Sequence, residues 1–312
     1  MRCILVGNYG VGNLGDEALK DYFLSAFPEV VWKVIMPSER LPAGIRSFFL
    51  FRWLKTIKAF RQADAIVFGG GSLFTDAESP HACVVWGIHA LAAWMFRKPI
   101  FLAFQGVGPF RTRLGEGIAR WVCRHAAFIS VRDHESAKRL SLWNLSTEVI
   151  QTSDPVFLAF RSYKFDSSTQ KILTIIPRKN SGAMLQKMAE KVLQEQNFDR
   201  VEIVLMQPDD LEEGNIAQSL QELCGGSIVE VRQLPELMEA VGRANLVVTE
   251  RFHGALAALA LDKEVLICSQ KPGDKLSALS DAISQDRAGE IRRMEEGAKK
   301  GEEALRQMLQ KC

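Results

Sequence analysis

The sequence predicts an α/β protein built from two doubly wound parallel-sheet domains. Three observations predict it. Short runs of β-branched and aliphatic residues alternate with helix-length segments along all 312 residues, the pattern of βαβ units and parallel sheets. The length suits two cores of about 150 residues each. The clearest unit reads NLVVTERFHGALAALAL from Asn245. In it a strand at Leu246-Val247-Val248 turns through Thr249-Glu250-Arg251-Phe252, and an almost wholly apolar helix opens near His253-Gly254. Val265-Leu266-Ile267-Cys268 is the next strand. Polar groups at such a strand-to-helix turn lie at the carboxyl edge of the sheet, where open α/β sheets bind ligands. Glu250, Arg251 and His253 crowd this turn. They read either as a salt bridge with a helix-capping histidine, or as an anion site beside the helix N-terminus.

The chain is 47% hydrophobic and 24% charged, which is ordinary for a soluble globular protein. A net charge of +2 excludes a strong nucleic-acid signature. Cys3, Cys83, Cys123, Cys224, Cys268 and Cys312 are scattered, without a C-x-x-C pair, and read as reduced core residues of a cytoplasmic protein. The opening MRCILVGNYG carries no signal-peptide pattern and enters a strand directly. The apolar run at residues 82–96 contains Gly87 and His89, is too short to span a bilayer, and reads as a buried helix. No metal site is expected, because the histidines are dispersed and no acid cluster has ligand spacing.

Residues 3–6 form the first strand, and a glycine-rich loop from Gly7 to Gly15 precedes a helix opening at Asp16-Glu17. Gly10, Gly12 and Gly15 fit the dinucleotide fingerprint G-x-G-x-x-G. Two carboxylates at the helix start would repel a pyrophosphate, so nicotinamide and flavin binding are disfavoured. Capping and catalysis both remain open for the two acids. Residues 30–36 form the second strand, closed by Pro37. A helix is expected over residues 45–63, where Phe48, Phe49, Phe51, Trp53 and Phe60 interleave with Arg46, Arg52, Lys55, Lys58 and Arg61, and no acid occurs between Arg40 and Asp64. That composition fits an interfacial helix on anionic lipid, or a helix packed on the sheet with its basic face in water.

Strands follow at residues 64–68, 100–104, 128–131 and 148–150. They end respectively on Gly69-Gly70-Gly71-Ser72-Leu73-Phe74-Thr75-Asp76, Gln105-Gly106-Val107-Gly108-Pro109, Arg132-Asp133 and Ser153-Asp154-Pro155. Together with the first loop, five strands deliver glycine or polar motifs to one sheet edge, which predicts a cleft. A linker is expected over residues 154–170. The second half then repeats the architecture, with strands at residues 172–176 (ended by Pro177-Arg178), 201–206, 228–231, 246–248 and 265–268 and helices at 182–196, 214–224 and 234–244. A highly charged helix closes the chain from residue 288. Two doubly wound sheets facing across a cleft make a GT-B-like architecture.

As a set, Gly7-Asn8-Tyr9-Gly10 with Asn13-Leu14-Gly15-Asp16-Glu17-Ala18, Gly69-Gly70-Gly71-Ser72-Leu73-Phe74, Gln105-Gly106-Val107-Gly108-Pro109, Ser130-Val131-Arg132-Asp133, Ser153-Asp154-Pro155 and Arg251-Phe252-His253-Gly254 resemble the polysaccharide pyruvyltransferase family. The likeness is to its bacterial branch that decorates cell-wall and capsular polysaccharides. The resemblance implies a GT-B-like fold with residues 1–160 as an N-terminal Rossmann-like domain on the acceptor side and 161–287 as a C-terminal Rossmann-like domain on the donor side. Residues 288–312 would be a helix crossing back to the first. It implies transfer of a pyruvyl group from phosphoenolpyruvate to two hydroxyls of a sugar, giving a ketal, with no cofactor. It implies Arg132, His253 and a downstream lysine at the donor. Lys275 fits that lysine better than Lys271, by the Leu276 and Ala278 that follow it. Phosphoenolpyruvate would be held by Arg132, His253, Lys275, Arg251, Gly254 and Arg178. Asn8, Tyr9, Asn13, Asp16, Gly70, Gly71, Ser72, Asp76 and Gln105 would line the acceptor loops. A glycan acceptor on a polyprenyl diphosphate carrier would place the protein in the cytoplasm, peripheral at the inner membrane face.

The chemistry suits these side chains on its own terms. Phosphoenolpyruvate carries a carboxylate and a phosphate, which arginine, lysine and a helix N-terminus can neutralise. Ketal formation needs a proton at the methylene carbon, and His253 is the acid candidate. The sugar hydroxyl must lose a proton, and Asp16 or Glu17 is the base candidate. Two other classes stay open: a GT-B glycosyltransferase with a nucleotide-sugar donor, and a non-catalytic saccharide-binding subunit.

Overall fold

The computed structural model describes residues 1–77, 79, 81–165, 168–269 and 275–311. The chain divides into two compact units. One comprises Met1–Val11, Asp16–Val156 and Met294–Cys312, and the other Gly12–Gly15 and Phe157–Arg293.

The first unit runs β1 (Arg2–Val6), α1 (Leu14–Ala26), β2 (Val31–Val34), α2 (Ile45–Phe49), α3 (Trp53–Gln62), β3 (Ala65–Gly69), α4 (Ala82–Met95), β4 (Ile100–Gln105), α5 (Arg113–His125), β5 (Ala126–Val131), α6 (His134–Ser141) and β6 (Val149–Gln151). Its strands pair in the order β2-β1-β3-β4-β5-β6, all parallel. The central strands β3 and β4 are buried at every residue, which is why they read as unbroken apolar runs. The helices α5 and α6 carry no strand-ending motif, and the sequence reading passes over both. Their caps are local: Thr112 accepts from the Gly115 amide, and Asp133 from the Ser136 amide. In α4, burial pushes His89 down to about 4. Its Nδ1 meets the Val85 carbonyl at 2.8 Å, and its Nε2 accepts from the Leu41 amide at 3.1 Å, so it serves as a neutral core histidine.

The chain enters the second unit through α7 (Val156–Arg161). This corrects the linker expected over residues 154–170, because Phe157 and Phe160 of that helix are fully buried. Then follow β7 (Ile172–Ile176), α8 (Ala183–Glu195), β8 (Arg200–Leu205), α9 (Leu211–Cys224), β9 (Ser227–Glu230), α10 (Leu234–Arg243), β10 (Leu246–Thr249), α11 (Phe252–Ala260) and β11 (Glu264–Ile267). The strand order is β11-β10-β7-β8-β9, again all parallel. The buried helix α11 has seven consecutive buried residues from Gly254, as its composition requires.

Two helices depart from the expected lengths. The segment expected as one helix over residues 45–63 is split, because Phe51 takes a left-handed backbone (φ 53°) between α2 and α3. The closing helix α12 (Lys275–Gln310) begins earlier than residue 288 and is broken at Asp286 (φ −152°, ψ 87°). Among the described residues no helix is long and apolar enough to cross a membrane.

Candidate functional site

In a doubly wound sheet, ligands bind where successive connections leave in opposite directions. In the first unit that switch point lies between β1 and β3, since the chain leaves β1 outward to β2 and leaves β3 toward β4. The loops that emerge there carry Asn8 to Asp16 on one side and Gly70 to Ser72 on the other. A Cβ built at Gly71 would lie 3.5 Å from Asp16 Oδ1, so the two loops touch. Gly70 and Gly71 both have positive φ (74° and 79°), which only glycine adopts at little cost.

Asp16 is the chemically distinctive residue of this edge. Asn8 Nδ2 donates to its Oδ2 at 3.0 Å, and Arg40 Nη2 donates to Asn8 Oδ1 at 3.2 Å, so the amide is oriented from both ends. Burial pushes the Asp16 carboxyl up from 3.8 to about 6. The Asn8 hydrogen bond and the Arg132 charge oppose the rise, while Glu17 and Asp154 add to it. Arg132, at the end of β5, donates from Nη1 to Asp154, at the end of β6, and from Nη2 to Ser72 Oγ at 3.3 Å. Both members of that ion pair are buried. Asn8, Asp16, Ser72 and Arg132 thus form one hydrogen-bonded or charge-coupled group, joined by Arg40 and Asp154.

Other residues of the expected acceptor loops are bound into the scaffold. Tyr9 is buried and donates from its hydroxyl to the Gly69 carbonyl at 2.5 Å. Glu17 accepts from the Gly10 amide and the Lys20 ammonium, each at 2.5 Å, which ties down the glycine loop. Gln105 is fully buried, and its Nε2 donates to the carbonyls of Phe68, Gly70 and Ala103. It braces the triple-glycine turn from beneath. Asp76 accepts from the amides of Arg111 and Thr112 at 2.5 and 2.9 Å and from the Thr112 hydroxyl. Burial would raise its carboxyl, but these donors override it and hold the group below its ordinary range. Its acceptor capacity goes to the start of α5. Asn13 Oδ1 accepts from the Gly15 amide at 3.2 Å and caps α1.

The second unit repeats the topology, with its switch point between β7 and β10. Register makes this concrete: Thr249 pairs with both Ile176 and Ile267, so Arg178, the Glu250–His253 turn and Ser269 emerge side by side. Arg178 donates its amide to Ser181 Oγ at 2.8 Å, and that hydroxyl donates to Glu250, lashing the two loops together. His253 lies half-buried in the first turn of α11, edge-on to Phe252 with ring centroids 5.7 Å apart. Lys275 is half-buried as the first residue of α12. Lys271 lies outside the described residues.

Two expected donor residues have structural work that the sequence did not reveal. Arg251 is 9% exposed and pairs with Glu213, which is fully buried. It also donates to the Pro177 carbonyl at 3.1 Å and to Gln207 Oε1 at 3.0 Å. The salt-bridge reading of this arginine is the one the fold contains, with Glu213 rather than Glu250 as partner. Gly254 lets α11 approach the sheet: a Cβ there would meet Thr249 Oγ1 at 2.8 Å and Ile176 Cδ1 at 3.0 Å. The sequence-predicted residues thus fall in two sets. Asn8, Asp16, Ser72 and Arg132 gather in the first unit, and Arg178, Arg251, His253 and Lys275 belong to the second.

Sequence reasoning missed Arg40, Asp154 as the partner of Arg132, and Glu213. Only Asp154 stood in a motif that could have flagged it. The thiols are not nucleophile candidates, since burial pushes Cys83, Cys123 and Cys268 up to about 12.

Similarity to known proteins follows the same lines. The amylovoran biosynthesis protein AmsJ of Erwinia amylovora is 26% identical over 207 residues, covering 51% of this chain and 49% of that protein. The chain therefore spans about half the length of the curated relative it matches. Among solved structures, the UDP-GlcNAc 2-epimerase of Neisseria meningitidis, bound to UDP-GlcNAc, superposes with a TM-score of 0.57 at 13% identity over 100% of both chains. The UDP-GlcNAc 2-epimerase of Methanocaldococcus jannaschii gives 0.59 at 12% identity over 99% of both. At such identity the likeness is one of fold, the GT-B class of two parallel-sheet α/β domains. Residues 13–272 match the family model described as polysaccharide pyruvyl transferase. That match runs through Asp16, Ser72, Arg132, Asp154, Arg178 and His253, and the chain belongs to the polysaccharide pyruvyl transferase family.

Proposed function

We propose that the protein transfers the pyruvyl group of phosphoenolpyruvate to two hydroxyls of one sugar in a cell-surface polysaccharide precursor, forming a cyclic ketal. The observation that carries this reading is Asp16, a carboxylate raised to about 6 at the switch point of a sheet in a chain of this family. Such a group is ionised at neutral pH yet basic enough to take a proton from a hydroxyl. Protonation of the methylene carbon makes C2 electrophilic, and His253 is assigned that proton. The first sugar oxygen bonds to C2 as Asp16 accepts its proton. The C2–O bond to phosphate then breaks, and the second sugar oxygen takes its place. One hydroxyl proton ends on the methyl group and the other on phosphate, so a diol and phosphoenolpyruvate give a ketal and inorganic phosphate. Arg132, Arg178 and Lys275 are assigned to the donor's carboxylate and phosphate. Support for a glycan acceptor comes from the relative named for amylovoran biosynthesis. An acceptor carried on polyprenyl diphosphate would be met at the cytoplasmic face of the membrane, where phosphoenolpyruvate is available.

Mass spectrometry of sugar acceptors incubated with the protein and phosphoenolpyruvate tests the reading. A ketal mass gain with matching phosphate release is expected. His253→Ala should abolish the gain while its unfolding midpoint stays that of the wild type. Transfer of a sugar from a nucleotide-sugar donor, with no reaction of phosphoenolpyruvate, would overturn the proposal in favour of a glycosyltransferase.

A further inference from the structure

We infer that α2, α3 and the turn between them form a surface that docks on an anionic lipid leaflet. Three observations on the first unit carry it. First, α2 has no buried residue. Ile45 is 80% exposed, Phe49 65%, Leu50 57% and Phe51 55%, with Phe48 and Leu54 close behind. The reading that sends the aromatics of this segment into the core holds for Phe60 but fails for Phe48, Phe49 and Phe51. A contiguous apolar ridge of this kind on a water-facing surface marks an interaction site.

Second, the ridge is rigid. Phe48 stacks on Trp53 with centroids 5.5 Å apart, Phe49 meets Phe48 edge-on at 5.8 Å, and Trp53 Nε1 donates to the Phe48 carbonyl at 2.9 Å. Phe51 holds a left-handed backbone that a bulky residue rarely adopts, in a turn where glycine or asparagine would be relaxed. Beneath the ridge, α3 is anchored by Phe60 and by Thr56, whose hydroxyl donates to the Glu39 carbonyl at 2.6 Å.

Third, the charge around the ridge has one sign. At 3.6 residues per turn, Thr56 and Phe60 share the buried face of α3, and Leu54, Lys58 and Arg61 fall on the opposite one. Arg46, Arg52 and Lys55 are exposed beside them, and no acid interrupts residues 41–63. A protein partner would need a matching acidic hollow. A lipid leaflet supplies both elements at once, with anionic headgroups for the cations and an acyl boundary for aromatic side chains. This inference does not depend on the pyruvyl chemistry.

Co-sedimentation with vesicles tests it, using phosphatidylcholine alone and equal parts phosphatidylcholine and phosphatidylglycerol. The wild type should bind the anionic vesicles and be released as salt rises, because the Debye length shrinks. Arg52→Glu/Lys55→Glu/Lys58→Glu should bind about a hundredfold more weakly at low salt. Ile45→Ser/Phe49→Ser should weaken binding about tenfold with the salt dependence retained. All four side chains of the ridge and rim in these variants beyond Lys55 are exposed, and unchanged unfolding midpoints would confirm that the fold is intact. Failure of the wild type to bind, equal binding by the charge-reversed variant, or a ridge-dependent dimer without vesicle binding would each overturn the inference. None of these outcomes alters pyruvyl transfer to a water-soluble acceptor, so the two proposals fail separately.

Discussion

At the residue scale, Asp16 links stability and activity through one proton. Its carboxyl titrates at about 6 in the folded chain against an ordinary value of 3.8. Between those values the unfolded chain has released the proton and the folded chain still holds it. Stability from this group is therefore full below pH 3.8 and is lost as pH rises to about 6. Activity that uses Asp16 as a base runs the other way and should climb through pH 6. Asp16→Asn keeps the hydrogen bond geometry with Asn8 and removes the charge. It should raise stability at neutral pH by roughly 1–2 kcal/mol, after allowance for solvent screening, and abolish turnover. Denaturation of both proteins at acidic and neutral pH, with a pH–rate profile of the wild type, checks this. An unchanged neutral-pH stability would mean that the carboxylate is solvated. The acid at a helix start is legible in the sequence. Its pKa is not, because Asn8, Arg132 and Asp154 reach it from three other loops.

At the element scale, the packing of α11 on its sheet decides where His253 sits. An alanine at position 254 would gain about 1 kcal/mol in helix propensity. Its methyl would press on Thr249 Oγ1 and Ile176 Cδ1, and overpacking of that kind costs about 1–3 kcal/mol. The cost wins. Gly254→Ala should lower stability by roughly 1 kcal/mol and displace Thr249, which receives the Arg251 amide at 2.9 Å. Urea denaturation measures it, and a more stable variant would show that the helix can shift freely. The small-residue run of α11 is plain in the sequence. Which of its residues faces β7 and β10 is not, because that depends on the helix's rotation against two strands.

At the scale of the whole molecule, the chain's last helix completes the first unit. In α12, Ala298 and Leu305 are fully buried and Met294 and Leu309 nearly so. Tyr22 donates its hydroxyl to Glu302 at 2.8 Å, Arg306 stacks over Phe27 at 4.9 Å and pairs with Glu29, and Gly301 lies against Phe104 and Thr152. Losing a buried Leu or Met costs about 2–5 kcal/mol, so three such losses approach the 5–15 kcal/mol of a typical domain. A chain ending at Arg293 should lose cooperative unfolding of the first unit, and Leu305→Ala alone should cost about 2–5 kcal/mol. Hydrogen exchange of β1, β3 and β4 reads this directly. Wild-type protection in the truncated chain would make the helix dispensable.

The sequence by itself determined the alternation of strands and helices, hence two parallel sheets. Because every strand of such a sheet runs the same way, it also determined that the motifs after the strands share one edge. Those are consequences of local periodicity and of the chirality of βαβ units. The tertiary structure alone decided strand order, and with it the switch points that make Asp16 and His253 stand out from the other polar residues of those edges. It alone decided that Arg251 is bound by Glu213, that Gln105 and Asp76 brace loops, and that Phe48, Phe49 and Phe51 face water while Phe60 does not. Each of these turns on contacts between residues far apart in the chain, where burial sets charge and partners set role, and no periodicity along a single chain encodes them.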